Sequence, residues 1–200
     1  MKHRSHRLSS FASILPALAF LLPTLTYAHV GIGQTAGFAH GFGHPLGGID
    51  HVFAMAAVGL WAAQRGGRAL WLIPATFVAI MALGSLIGTI GVFVPFVEQG
   101  IVLSVLVFGV LVAAAVRLPL SVSALIVGLF AVFHGYAHGA EMPANTSGLA
   151  YGAGFLLATV FLHGVGICAA LLARRVGRSS LVRLSGDVIA SCGVYLWLAA

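Results

Sequence analysis

Two short stretches gather the residues able to bind an ion or move a proton. The first is His44-Pro45-Leu46-Gly47-Gly48-Ile49-Asp50-His51. If Pro45 opens a helix with His44 near its N-cap, then His44 and His51 lie on nearly one face. Met55 follows one turn on, and Asp50 sits about 100° round from His51. Gly47 and Gly48 permit close approach of a neighbouring helix or a ligand. His40 stands four residues before His44. The second stretch is Phe133-His134-Gly135-Tyr136-Ala137-His138-Gly139-Ala140-Glu141. His134, His138 and Glu141 are spaced i, i+4, i+7, a single helical stripe that Pro143 closes. Imidazole nitrogen and carboxylate oxygen are the ligand set of borderline divalent metals: nickel, cobalt, zinc and copper. Asp50 either ligates or orients a histidine from behind. The competing reading is structural, with histidines capping helix ends or bonding across helices.

The rest of the chain must hold these residues in place. Of 200 residues 60% are apolar and only 7% charged, against about 25% charged in a soluble domain. That excludes a soluble globular domain, a disordered chain and a coiled coil, and leaves an all-α polytopic membrane helix bundle. The net charge of +6 does not point to nucleic acid, because the basic residues form no continuous face. No nucleotide-binding Gly-rich loop is present. Cys168 and Cys192 sit in apolar runs and read as small buried hydrophobes.

Residues 1–28 read as a secretory signal peptide: Lys2, Arg4 and Arg7, then apolar Phe11 to Leu22, then Thr26-Tyr27-Ala28. Residues 29–200 form the expected single membrane domain, with apolar segments at 43–64, 69–94, 99–116, 119–139, 148–173 and 180–199. Each is close to the ~20 residues that cross a bilayer, giving six transmembrane helices.

Arg65, Arg68, Arg117, Arg174, Arg175, Arg178 and Arg183 all fall on one side of that topology. By the positive-inside rule that side is cytoplasmic, and both mature termini lie outside, in the periplasm of a bacterial inner-membrane protein. His44, Asp50 and His51 then share one outer depth with His134, His138 and Glu141. These six are the expected metal ligands.

Four residues are weaker candidates. His29 would be the new N-terminus, offering an α-amine and an imidazole. His40 flanks the first stretch. His163 lies deeper and toward the cytoplasm, as an inner relay or a cross-helix hydrogen bond. Glu98 stands at the outer mouth of the third segment. Asp187 follows Arg183 by four and is expected to pair with it.

At these residues the chain resembles the HupE/UreJ family of bacterial membrane proteins. The family pattern of His, five residues, Asp-His is met by His44, Asp50 and His51. The pattern Phe-His-Gly-x-Ala-His-Gly-x-Glu is met by Phe133, His134, Gly135, Ala137, His138, Gly139 and Glu141. The resemblance spans essentially the whole chain. It implies nickel uptake in support of hydrogenase or urease maturation, with cobalt as the alternative cargo. The expected function is therefore a secondary permease for Ni2+ or Co2+, not an enzyme. It holds no tightly bound cofactor, its partners are the metal ion and the bilayer, and a homo-oligomer is allowed. The alternatives are a membrane-embedded metalloenzyme and a non-transporting metal sensor.

Overall fold

Apolar runs of bilayer length, cut by Gly, Pro and Arg, fold into helices wherever the sequence supplies them. The computed structural model describes residues 34–199. The signal-peptide segment and His29 lie outside the described residues. Among the described residues there are seven helices and no strand: α1 Gln34–Gly47, α2 Ile49–Arg65, α3 Ala69–Thr89, α4 Val97–Ala113, α5 Leu120–Ala140, α6 Gly148–Arg175 and α7 Ser179–Ala199. Helices α3, α5, α6 and α7 are long and apolar enough to cross a membrane, and α1 with α2 qualifies as a fifth, broken span. Helix α4, at 17 residues, is a shorter apolar helix about 25 Å long. Leu86, Leu125, Leu149, Phe161, Leu172 and Leu198 are exposed along the outside of these helices, a surface suited to acyl chains. This is a multi-pass membrane protein.

The first membrane segment corrects the expectation of one continuous helix. The chain bends by 82° between α1 and α2. Pro45 lies inside the end of α1 and does not open a helix, and His44 sits in the last turn of α1. Pro45 has no N–H to donate back along the helix, and Gly47-Gly48 favours helix weakly. Gly48 is extended (φ −100°, ψ 119°) and caps α2. Helix α3 ends at Thr89, short of the expected 94, where Gly91 turns left-handed (φ 73°) ahead of Pro95.

Helix α2 is central and packs on α6, α4 and α3. It buries Met55, Val58 and Trp61. Gly135 and Gly139 of α5 lie directly on the backbone carbonyls of Met81 and Ser85 of α3, where any Cβ would overlap. The glycines of the second stretch are therefore the contact surface that lets α5 seat against α3.

Two local expectations fail. Arg183 does not pair with Asp187; its Nε donates to the carbonyl of Ala113 at 2.8 Å. Among the described residues both ion pairs involve histidine instead. Cys168 is exposed on α6 and Cys192 half-buried, so neither is a core residue.

Candidate metal site

Three helix ends supply the six expected ligands. His44 closes α1, Asp50 and His51 open α2, His134 and His138 lie in the last two turns of α5, and Glu141 caps α5. The bend at Gly48 aims the first two groups at the third. His44 Nε2 is 2.8 Å from Glu141 Oε2. Ring centroids separate by 5.0 Å for His44–His138, 4.9 Å for His51–His138 and 4.7 Å for His51–His134. The two stretches thus share one site despite the break, and because of it.

A cavity of about 390 Å³ opens onto this cluster, lined by Gly43, His44, Gly47, Gly48, Asp50, His51, Glu98, Ile101, Ala137 and Glu141. Exposure falls inward: the side chains of Glu141 and His44 are 51% and 26% exposed, while His134 and His138 are fully buried. Glu98, a weaker candidate, lines this mouth.

Hydrogen bonding orients two of the imidazoles. Asp50 Oδ1 lies 2.9 Å from His51 Nδ1 and also accepts from the His51 backbone N–H at 2.7 Å. An ionised carboxylate only accepts, so Nδ1 of His51 donates and Nε2 keeps its lone pair. Ser104 Oγ donates to the carbonyl of Ile101 at 2.6 Å and stands 2.9 Å from His134 Nε2. A hydroxyl has one proton, and the carbonyl takes it. Nε2 of His134 must then donate to Ser104, leaving the lone pair on Nδ1. His51 Nε2 and His134 Nδ1, the two lone-pair nitrogens so defined, are buried without a partner, as are both ring nitrogens of His138. Each such orphan costs on the order of 1–3 kcal/mol, which a bound cation would offset.

Among the described residues no three His, Cys, Asp or Glu side chains are already gathered into a metal-holding set. His44 Nε2 and the carboxylates of Glu141 and Asp50 are engaged in the two ion pairs, so a cation must displace or share them, whereas His51 enters its pair through Nδ1 and keeps Nε2 free. Glu141 is held below its ordinary carboxylate value, first by the hydrogen bond from His44, with burial opposing.

Two further weaker candidates, His40 and His163, lie outside this cluster. His40 is exposed at the rim, its ring 6.3 Å from His44. His163 is buried deeper with both nitrogens unpartnered. The Phe77 ring stands between the two levels, 5.5 Å from His134 and 5.2 Å from His163. Sequence reasoning missed Ser104, Phe77, Phe155 and Tyr151. Phe155 stacks on His138 at 4.9 Å, and Tyr151 lies 6.2 Å from His44. For Ser104 and Tyr151 the signal was a polar group inside an apolar run; for the two phenylalanines there was none.

The HupE / UreJ protein family model matches residues 17–196. Protein HupE of Rhizobium leguminosarum bv. viciae is 44% identical over 190 residues, covering 94% of this chain and 97% of that protein. No solved structure matches the chain.

Proposed function

The chain belongs to the HupE/UreJ family, and on that premise we propose that it is a secondary permease for Ni2+, with Co2+ as the alternative cargo. It works in the bacterial inner membrane. Six spans follow a cleaved signal peptide (1–28), with both mature termini periplasmic. The metal binds at His44, Asp50, His51, His134, His138 and Glu141.

The observation that carries this reading is the set of buried imidazole nitrogens without partners at His51, His134 and His138, beside two carboxylates. A structural role for these histidines would have used those nitrogens in helix-to-helix hydrogen bonds. Borderline divalent cations match the donor set; the family resemblance supports nickel among them.

Capture proceeds from the exposed rim inward. Glu98 and Glu141 attract the hydrated cation at the mouth. The ion sheds water as His44, Asp50 and Glu141 release their ion-pair partners to it. It then passes to the lone pairs of His51 Nε2 and His134 Nδ1, and to His138. Transit requires that no position hold the ion too tightly, and competition from the two ion pairs weakens the outer ligands. His163 provides the next imidazole inward.

The test is metal accumulation in cells carrying His44→Ala, Asp50→Ala, His134→Ala or Glu141→Ala, at limiting nickel and matched protein levels. Loss of uptake in these variants supports the joint site, and normal uptake in all four removes it.

A further inference from the structure

At the opposite end of the bundle from the histidines, three separate connections converge on a second cavity, of about 240 Å³. Arg65 comes from the end of α2, Arg117 from the α4–α5 connection, and Arg174 and Arg183 from the α6–α7 region. Gln64 and Ser179 complete its polar lining, and no Asp or Glu contributes to it.

We propose that this cavity binds a phosphate group. Setting membrane orientation needs arginines only somewhere in the loops on one side. It needs neither their convergence nor their fixed posture, and the structure has both. Arg65 Nη1 donates to Ser123 Oγ at 2.7 Å and its guanidinium lies 5.8 Å from the centre of the Trp61 ring. Arg174 Nη1 donates to the Ala63 carbonyl at 3.3 Å, and Arg183 Nε to the Ala113 carbonyl at 2.8 Å. Each of the three spends one N–H on an anchor and retains the rest of its donor fork. Arg117 donates to no described residue. Among the described residues neither ion pair involves an arginine. Four guanidiniums around one cavity whose lining holds no carboxylate favour an anion, and the planar donor fork suits phosphate oxygens.

That phosphate has two sources, an anionic lipid headgroup and a free phosphate. The cavity lies at a helix-end level where headgroups sit. Leu181 and Leu184, exposed on α7 beside Arg183, offer an acyl chain a track.

The experiment is thermal unfolding of the purified full-length protein in non-ionic detergent. It is titrated separately with phosphatidylglycerol, with phosphatidylcholine and with inorganic phosphate. Wild type, Arg117→Gln, Arg174→Gln and Arg178→Gln are compared. Arg178 lies outside the cavity lining and removes the same charge. The expected result is stabilisation of wild type by phosphatidylglycerol, with an apparent affinity about tenfold weaker in Arg117→Gln and Arg174→Gln and unchanged in Arg178→Gln. A shift with inorganic phosphate showing the same variant pattern also supports the site and identifies a soluble source; a shift with phosphatidylglycerol alone identifies a lipid. Absence of a shift with either, or an equal loss in Arg178→Gln, overturns the proposal. Arg117 is exposed and anchors nothing, so its variant keeps the test readable if Arg174→Gln fails to fold.

Discussion

His44 and Glu141 lie 97 positions apart in the chain and 2.8 Å apart in space, joining the last turn of α1 to the cap of α5. This contact makes one site of two sequence stretches. The pair is half-exposed, so its contribution to the fold is small, about 0–1 kcal/mol. Its proposed role is in metal capture. Glu141→Gln and His44→Ala should each lower nickel accumulation by about tenfold or more while leaving the thermal unfolding temperature in detergent nearly unchanged. A large fall in stability with proportionate loss of protein would assign the pair a structural role instead.

Ser104 should act through His134. Ser104→Ala removes the acceptor that fixes the Nε2–H tautomer, and metal affinity should fall about 10–100-fold, the usual effect of losing a ligand's hydrogen-bond partner. Nitrogen-15 spectra of histidine-labelled protein check this directly. Wild type should show His134 protonated at Nε2, and Ser104→Ala a mixture of tautomers. An unaltered tautomer in the variant would disconnect Ser104 from the site.

Gly48→Ala should disturb the site without straining the backbone. Its φ of −100° suits alanine. The added Cβ, however, would stand 2.7 Å from Asp50 Oδ1 and 3.2 Å from His51 Nδ1. Uptake should fall about tenfold while circular dichroism stays that of wild type. Unchanged uptake would mean that the Asp50–His51 geometry is dispensable.

The break at Gly48 is where the sequence was least legible. Pro45 is compatible with both the first and the last turn of a helix, and spacing alone does not decide between them. Helix α1 is rich in glycine and weak by propensity; it exists because Gly41 and Gly154 let it seat against α6. The other helices were readable from hydropathy, because each apolar run needs a bilayer or a neighbour. The clustering of the six candidate residues was readable too, since His and Asp stand out in a chain with so few polar groups. Ser104 and Phe77 were not, because their roles arise only when α4 and α3 pack beside α5. The expected Arg183–Asp187 pair failed for the same reason: a tertiary partner, the Ala113 carbonyl, took the guanidinium.

Acid should weaken capture. Metal binding needs deprotonated imidazole and carboxylate donors, so uptake should fall as pH drops. Glu141 resists that protonation. Its carboxyl is held below its ordinary value. Whatever it contributes to the fold is therefore present above the ordinary carboxylate range and lost only as pH falls through the lowered value. Uptake measured from neutral to acid pH should decline in wild type, and nickel binding by the purified protein should weaken over the same range. Uptake that stays constant on acidification through the carboxylate range would contradict ligation by these groups.

The most direct measurement is radioactive nickel flux into liposomes containing the purified protein alone. Wild type should show nickel-selective, saturable entry down a gradient, and His44→Ala, Asp50→Ala, His134→Ala or Glu141→Ala flux near that of empty liposomes. Wild-type protein that is folded and binds nickel but carries none across would contradict the proposed permease.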